Sequence, residues 1–417
     1  MTSDRKNYVI VGASAAGMSG AEAVRASDDR GTITVLSDEP DAPYFRPLIP
    51  FLISGKKSAS DMSLVGEGPY RGSGIDVRLD ARVEKIDSRA QTLEIAGGEL
   101  VPYDRLLIAT GSRSYIPPDI EGTGTNGVFA LRTLADARAA AARAANARHA
   151  VMLGGGMLNL KASFALLERG LAVTLVVQSP QVLSQLMEPE DAFLIRNALN
   201  KAGLKILTGA GARRILSNAG GVKGVLLDDG SEIACEMVCI GKGVRPNVGF
   251  IDKGAVRTDG GVVVDTYTAS SVPNVYAAGD VAVTFDPITG KRIVTGLWTN
   301  AVEMGRCAGY NMAGKPTEYE GTFGILNATQ VAEVAFVSMG IVHTAGSDCE
   351  THAFHSPGAY RKLVFSPDGT RLVGVLLVGD IARAGLYRFV IKERMPVAGI
   401  KKQIIDHTLH YGHFLRR

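Results

Sequence analysis

Cysteine is scarce in this chain of 417 residues and unevenly placed. The four cysteines are Cys235, Cys239, Cys307 and Cys349, so the first 234 residues contain none. No two of them have the CxxC spacing that is typical of thiol redox and zinc sites, and their apolar surroundings predict buried thiols. Covalent thiol chemistry in the amino-terminal half is therefore excluded.

An excess of charge and a long apolar run are also absent. The 45 basic residues nearly balance the 42 acidic ones, and a net charge of +3 argues against nucleic-acid binding through bulk charge. No apolar run approaches the roughly 20 residues that span a bilayer. Residues 1–7 lead directly into an apolar strand without the hydrophobic segment of a signal peptide. The sequence predicts a cytoplasmic protein with no nucleic-acid or membrane partner.

Two glycine-rich turns each separate an apolar, β-branched run from a run that predicts a helix. They are Tyr8-Val-Ile-Val-Gly-Ala-Ser-Ala-Ala-Gly17 and Ala150-Val-Met-Leu-Gly-Gly-Gly-Met-Leu-Asn159. In a βαβ unit such glycines permit a tight turn and let the backbone approach a pyrophosphate at the helix N-terminus. The two turns predict two dinucleotide sites.

Two further strands end in residues that suit a ligand. Leu106-Leu-Ile-Ala-Thr-Gly111 ends in a turn of small residues, and Pro273-Asn-Val-Tyr-Ala-Ala-Gly-Asp280 ends in an acid. Open α/β sheets bind ligands at the carboxyl ends of their strands, where the Asp280 carboxylate could accept a hydrogen bond from a ribose or ribityl hydroxyl. Asp38 and Glu39 follow the first glycines by roughly 20 residues, and either could accept from a ribose.

With these motifs in place, the chain resembles the flavoproteins of the pyridine nucleotide-disulfide oxidoreductase superfamily over nearly all of its length. Pro43-Tyr-Phe-Arg-Pro-Leu48 resembles a segment of the branch that contains nitrite-reductase flavin domains and the reductases of rubredoxins and Rieske-type ferredoxins. The carboxyl-terminal part, with residues 360–387, is similar to that branch. More narrowly, it resembles FAD subunits that link NAD(H) to iron–sulfur partners, as in phenylglyoxylate dehydrogenase and tungsten aldehyde oxidoreductase.

The resemblance implies FAD at the first turn. The residues implied to bind it are Gly12, Ser14, Ala15, Gly17, Asp38, Glu39, Arg46, Val83, Ala109, Thr110, Gly111, Gly279, Asp280, Trp298 and Thr299. Arg46 would contact the phosphates, and Val83 would either meet the adenine or simply fill the core. Trp298 would begin a helix that faces the flavin, although core filling is an equal alternative. Because the cofactors carry the chemistry, we expect no catalytic side chain and no metal site.

The second turn is implied to bind NAD(P)H, although it departs from the family pattern. The implied residues are Gly154, Gly156, Asn159, Gln178 and Gly243. Asn159 stands at the third glycine, Lys161 stands at the usual acid, and Gln178 stands where a ribose-binding acid is common. Lys161 could pair with a phosphate or be solvated. The choice between NAD and NADP stays open.

The sequence predicts an α/β fold with two Rossmann-like dinucleotide-binding domains and a carboxyl-terminal α+β domain. The expected bounds are 1–116 and 248–320 for the FAD-binding domain, 117–247 for the NAD(P)-binding domain and 321–417 for an interface or dimerisation domain. In the last domain we expect strands near 334–339, 361–365 and 372–378. Its basic residues would steer an acidic iron–sulfur partner, and they are Arg361, Lys362, Arg383, Arg388, Lys392, Arg394, Lys401, Lys402, Arg416 and Arg417.

Three functions are consistent with these features. The first is an FAD-dependent NAD(P)H oxidoreductase that exchanges electrons with an iron–sulfur protein or with a subunit of a larger complex, without an active-site disulfide. The second is a flavin-bearing docking subunit whose nicotinamide site has degenerated, and the third is a free-standing rubredoxin or ferredoxin reductase. The protein could form a homodimer or a hetero-oligomer. His407, His410 and His413 could bind a metal, but a polar tail is the simpler interpretation.

Overall fold

The computed structural model describes residues 5–64, 73–252, 254–322 and 326–415. Arg416 and Arg417 of the basic set lie outside the described residues. The strands are β1 (Asn7–Val11), β2 (Thr32–Leu36), β3 (Ile75–Arg78), β4 (Val83–Asp87), β5 (Thr92–Ile95), β6 (Leu100–Pro102), β7 (Arg105–Ile108), β8 (Ser112–Ser114), β9 (Val128–Phe129), β10 (His149–Leu153), β11 (Ala172–Val177), β12 (Lys205–Thr208), β13 (Ala212–Asn218), β14 (Gly221–Leu227), β15 (Glu232–Ala234), β16 (Met237–Ile240), β17 (Val244–Pro246), β18 (Val262–Val263), β19 (Val275–Ala277), β20 (Ala282–Phe285), β21 (Arg292–Ile293), β22 (Asn327–Val331), β23 (Val334–Gly340), β24 (Glu350–Ser356), β25 (Ala359–Phe365) and β26 (Leu372–Val378). The helices are α1 (Ala15–Arg25), α2 (Ile49–Ser54), α3 (Leu134–Ala144), α4 (Met157–Glu168), α5 (Phe193–Lys201), α6 (Trp298–Met312), α7 (Ala384–Lys392) and α8 (Lys401–Ile405).

The chain divides into two compact units. The first comprises Met1–Tyr115, Arg132–Ala135 and Val244–Thr322, and the second comprises Ile116–Leu131, Asp136–Gly243 and Phe323–Arg417. The three domain bounds expected from the sequence stay a prediction. None of the helices in the described ranges is long and apolar enough to cross a membrane.

The first unit is built on a parallel five-stranded sheet in the order β19-β7-β1-β2-β3. Four of the five residues of β1 are buried, because a central strand of a parallel sheet that is covered on both faces becomes continuously apolar. Val9 lies beside Thr34 on one side and Leu106 on the other. Because the strands are parallel, the carboxyl ends of β1, β7 and β19 lie together on one side of the sheet.

Helices α1 and α6 cross at glycines, with their backbones in direct contact. A methyl group at Gly305 would lie 2.1 Å from the Ala16 carbonyl oxygen, and one at Gly309 would lie 2.3 Å from the Gly20 carbonyl oxygen. No side chain larger than hydrogen therefore fits between the helices at these points. This crossing was not predicted from the sequence.

The second unit contains a parallel sheet in the order β12-β11-β10-β16-β9, with α4 directly after β10. This arrangement repeats that of the first unit around β1. The predicted fold class, with two Rossmann-like dinucleotide-binding units, is confirmed.

The carboxyl-terminal part of the second unit is an antiparallel sheet in the order β22-β23-β26-β25-β24, with α7 following β26. We expected three strands here, and the described residues form five. The two additional strands, β22 and β24, lie at the edges and alternate between half-buried and exposed residues. Their polar sequences lack the apolar run that identified the three central strands.

A buried cluster of charges joins this sheet to the segment that precedes α5. Lys362 on β25 pairs with Glu188, and its Nζ lies 3.4 Å from Asp191 Oδ2. The Tyr360 hydroxyl donates to Asp191, and the side chains of Lys362 and Asp191 are 4% and 3% exposed. Our expectation that Lys362 belongs to a solvated basic surface is therefore wrong. Sequence spacing could not reveal its partners, which lie about 170 residues earlier.

Candidate functional site

The first glycine turn lies at the end of β1 and requires glycine at two positions. Gly12 has a φ of +111°, and a methyl group there would lie 2.2 Å from the Ala109 carbonyl oxygen. A methyl group at Gly17 would lie 1.8 Å from the Gly12 carbonyl oxygen. Ser14 and Ala15 lie between them at the start of α1. The bare backbone and the helix N-terminus fit a pyrophosphate.

The Ala109-Thr110-Gly111 turn after β7 is fixed by Asn247. Asn247 Nδ2 donates to the Thr110 carbonyl oxygen at 3.0 Å, and Thr110 Oγ1 donates to the Asn247 carbonyl oxygen at 2.8 Å. The Asn247 backbone N–H donates to the Gly111 carbonyl oxygen at 2.9 Å. This role of Asn247 was not predicted from the sequence.

Asp280 follows β19 and is held through only one of its oxygens. Ser112 Oγ donates to Asp280 Oδ2 at 2.8 Å, and Arg132 Nη2 donates to the same oxygen at 3.0 Å. Oδ1 has no hydrogen-bond partner among the described residues, and the side chain is 14% exposed. The preceding Gly279 has a φ of +79°, and a methyl group there would lie 3.1 Å from Ala16 Cβ on α1 and 3.4 Å from Ala301 Cβ on α6. One carboxylate oxygen thus remains available to accept a hydroxyl.

Arg46 lies at the first turn and is surrounded by polar partners. Its Nε donates to Ser14 Oγ at 3.3 Å, its Nη1 donates to the Tyr44 hydroxyl at 2.7 Å, and its Nη2 pairs with Glu39. Glu39 therefore lies in the same cluster, whereas the neighbouring Asp38 is exposed. This difference favours Glu39 as the acid that lies near the site.

The remaining residues of the FAD set occupy varied positions. Trp298 is the first residue of α6 and packs edge-on against Phe45, with the ring centroids 4.6 Å apart. The next residue, Thr299, is exposed. Val83 is 8% exposed in the core and pairs with Ile95 on β5. Trp298 is thus linked to the segment that carries Arg46, while the contact of Val83 with adenine stays a prediction.

The second glycine turn follows β10 and repeats the geometry of the first. Gly154 has a φ of +106°, and a methyl group there would lie 2.4 Å from the Gly241 carbonyl oxygen. Gly156 precedes α4, and a methyl group there would have no neighbour within 4 Å. The exposed side of this turn is therefore open to a ligand. Gln178 and Gly243 are exposed after β11 and β16.

Asn159 stabilises this turn from its buried side. Asn159 is 1% exposed, and its Nδ2 donates to the carbonyl oxygens of Leu153 and Gly154, both at 2.9 Å. A methyl group at Gly241 would lie 2.2 Å from Asn159 Oδ1. The bulk of asparagine at the third glycine position is thus accommodated because residue 241 is glycine. A direct contact of Asn159 with a dinucleotide stays a prediction.

Three of the four cysteines are buried, and burial keeps their thiols far from ionisation at neutral pH. Burial raises the pKa of Cys235 to about 12 and that of Cys307 to about 11, and it also raises the pKa of Cys239. Cys349 is half-buried, so the expectation that all four are buried is wrong at this loop position. In the parts of the chain described above, no three histidine, cysteine or carboxylate side chains converge as metal ligands.

Comparison with known proteins agrees with this geometry. The chain is 29% identical over 412 residues to the NADH-dependent phenylglyoxylate dehydrogenase subunit epsilon of Aromatoleum evansii, with 98% of this chain and 97% of that protein covered. A NAD-dependent persulfide reductase from A. fulgidus superposes with a TM-score of 0.88 at 26% identity, over 94% of this chain and 77% of that one. A ferredoxin reductase from Rhodopseudomonas palustris superposes with a TM-score of 0.86 at 26% identity, over 96% and 98% of the two chains.

The glycine turns and the comparisons point to one family of oxidoreductases, whose members bind FAD and NAD(P)H. Its model matches residues 6–305, which include both glycine turns, Asp280 and the start of α6. Since this match extends over well more than half of the sequence, the chain belongs to the pyridine nucleotide-disulphide oxidoreductase family.

Proposed function

We propose that this protein uses FAD to transfer electrons between NAD(P)H and an iron–sulfur protein, or an iron–sulfur subunit of a larger complex. The observation that carries this proposal is the pair of turns at Gly12 and Gly154, each restricted to glycine, in a chain with no cysteine before Cys235. Bound FAD would supply the exchange between two-electron and one-electron carriers. Transfer through a protein thiol would need a cysteine beside the flavin.

The first unit would hold the FAD. The N-terminus of α1 offers backbone donors to the pyrophosphate, and Arg46 adds a cation beside Ser14. Asp280 Oδ1 would accept a ribityl hydroxyl while Arg132 and Ser112 hold Oδ2. The N-terminus of α6, beginning at Trp298, would stabilise negative charge on the reduced cofactor.

The second unit would bind the nicotinamide dinucleotide at the Gly154 turn. Asn159 preserves this turn, and no carboxylate stands at Gln178 to repel the additional phosphate of NADP. Both NADH and NADPH are therefore candidate reductants.

The relatives support an iron–sulfur partner. One is named as a subunit of a dehydrogenase and another as a ferredoxin reductase. In this chain, Lys402 is exposed near the carboxyl terminus, as are the aromatic residues Phe389 and Tyr411. An exposed lysine and exposed aromatic residues in this part of the chain would suit an acidic partner. A homodimer, a hetero-oligomer and a cytoplasmic location stay predictions.

A flavin-bearing subunit with a degenerate nicotinamide site is the second candidate function. It is favoured by the buried Asn159 Oδ1, which has no hydrogen-bond partner among the described residues, and by the absence of an acid at Gln178. Anaerobic addition of NADH and of NADPH to purified holoprotein separates the two candidates. Rapid loss of the visible absorption of oxidised flavin supports the oxidoreductase. Flavin that stays oxidised with both reductants, but is bleached by dithionite, contradicts it.

The same holoprotein can test the partner. Co-purification of the native protein with an iron–sulfur subunit supports a complex. Isolation as a single chain that reduces rubredoxin or ferredoxin in solution supports a free-standing reductase.

A further inference from the structure

Lys242 lies across the second glycine turn. In the parallel sheet β10 stands between β11 and β16, so the Gly154 turn at its end is flanked by Gln178 after β11 and by Lys242 after β16. Lys242 Nζ lies 3.4 Å from Gln178 Oε1. Adjacent strands are about 4.8 Å apart, so this contact spans roughly two strand spacings over the end of β10.

A second distance places the aliphatic part of Lys242 at the turn itself. A methyl group at Gly154 would lie 3.4 Å from Lys242 Cγ, which is ordinary van der Waals contact. The side chain therefore runs along the turn before its ammonium reaches Gln178. The turn is the place where a βαβ unit binds a pyrophosphate.

The ammonium of Lys242 is only weakly held. Its hydrogen-bond partner among the described residues is the neutral amide oxygen of Gln178, at the long distance of 3.4 Å. By contrast, Lys362 and Lys401 are each paired with a carboxylate. A phosphate oxygen carries negative charge, so it attracts the ammonium by charge as well as by a hydrogen bond, whereas the amide oxygen of Gln178 is uncharged. Lys242 would therefore exchange the amide for a phosphate oxygen.

We propose that Lys242 binds the pyrophosphate of NAD(P)H and releases Gln178 to hydrogen-bond a ribose hydroxyl. This inference rests on the proposed function, which makes the Gly154 turn a dinucleotide site. The lysine adds a positive charge to the backbone donors and the N-terminus of α4. Because the pyrophosphate is common to NADH and NADPH, the contribution of Lys242 is equal for both.

The test measures binding rather than turnover. Isothermal titration calorimetry on FAD-loaded wild type and Lys242→Met gives the dissociation constants for NAD⁺ and NADP⁺. The matched control is Lys205→Met. Lys205 is exposed at the amino end of β12, whereas the Gly154 turn lies at the carboxyl ends of the strands of the same sheet. We expect Lys242→Met to weaken the binding of both dinucleotides by the same factor of about 10 to 100, the value of one hydrogen bond to a charged group. Lys205→Met should bind both like the wild type.

Each other outcome has a distinct meaning. Loss confined to NADP⁺ would place Lys242 at the 2′-phosphate and overturn the proposal. Unchanged affinity in Lys242→Met, or an equal loss in Lys205→Met, also overturns it while leaving the proposed function intact. A Lys161→Met variant that loses affinity where Lys242→Met does not would assign the cationic contact to α4 instead. Wild-type holoprotein that binds neither dinucleotide overturns this inference together with the nicotinamide site.

Discussion

Arg132 Nη2 lies 3.0 Å from Asp280 Oδ2, although the two residues are 148 positions apart. Arg132 belongs to a four-residue stretch that joins the first unit, while the residues on either side of the stretch belong to the second. The pair is partly buried, with side chains 27% and 14% exposed. Arg132 thereby fixes which oxygen of Asp280 remains open.

Asp280→Ala should weaken FAD binding, because it removes the proposed ribityl acceptor. A hydrogen bond to a charged group contributes about 1.5–3 kcal/mol, which corresponds to roughly 10- to 100-fold in affinity. The flavin-to-protein ratio after extensive dialysis measures the effect. Asp259→Ala, at an exposed position of the same unit, serves as the control. A full flavin complement in Asp280→Ala would show that the assigned role is wrong.

Gly12→Ala should yield protein without flavin, since the new methyl group would press against the Ala109 carbonyl oxygen and displace the turn. Gly97→Ala is a matched control, because Gly97 also has a positive φ, +95°, but has no neighbour within 4 Å. The Gly97→Ala variant should keep its flavin, and its free energy of unfolding should fall by roughly 1 kcal/mol. Equal loss of flavin in both variants would attribute the effect to backbone strain alone.

Gly156→Val should slow flavin reduction by NADH while leaving FAD bound. The position has a negative φ and open space around it, so the substitution fills the ligand side of the turn without a clash. Stopped-flow reduction at several NADH concentrations should show an increase of tenfold or more in apparent dissociation constant, an order-of-magnitude expectation for blocked backbone donors. Gly124→Val, another open position in the second unit, should behave like wild type. If Gly156→Val also loses its flavin, the assignment of the second turn is wrong.

Glu188 should make the protein sensitive to acid. Burial raises the pKa of Glu188, but hydrogen bonds from Lys362 and from the backbone N–H groups of Thr344 and Ala345 outweigh it and lower the pKa from 4.5 to about 2. A carboxyl with a lowered folded-state pKa stabilises the protein above pH 4.5, and this stabilisation disappears as the pH falls towards 2.

Glu188→Gln should therefore have a lower urea midpoint at neutral pH and a flatter dependence on pH in that acidic range. Urea unfolding followed by circular dichroism at several pH values measures both the midpoint and its dependence on pH. Glu190→Gln is the control, because Glu190 is exposed two residues away. Parallel pH curves for wild type and Glu188→Gln would contradict the prediction.

Lys402→Glu should slow electron transfer to an acidic iron–sulfur acceptor by a few-fold at low salt, as expected for one steering charge. We expected Lys401 to act with it, but Lys401 Nζ donates to Glu350 Oε2 at 2.6 Å, so its reversal would disturb the carboxyl-terminal sheet. Lys402 is 82% exposed, and its ion-pair partner among the described residues is Asp406, one turn away. Flavin reduction by NADH should not change. An acceptor rate that ignores both the reversal and a change from ~0.1 to ~1 M salt would refute steering.

The parts of the site that follow short-range rules could be predicted from the sequence. Gly12, Gly154 and Asp280 each sit in a motif whose spacing implies a strand end. Asn247 and Arg132 could not be found in this way, because their partners lie far along the chain. Asn159 departs from the glycine pattern, yet its effect depends on Gly241, about 80 residues later, which supplies the necessary space. The buried partners of Lys362 were missed for the same reason.

The glycine crossing of α1 and α6 bears on the thermodynamics of cofactor binding. The starts of these two helices are proposed to meet different parts of the same FAD molecule, its pyrophosphate and its flavin ring. With backbone against backbone at Gly305 and Gly309, the helices have no intervening side chain whose rotamers could alter their spacing. The conformational entropy of fixing the N-termini of α1 and α6 relative to each other is therefore lost when the chain folds, before FAD binds. FAD would then bind to a site that is already organised, which lowers the ordering cost of binding.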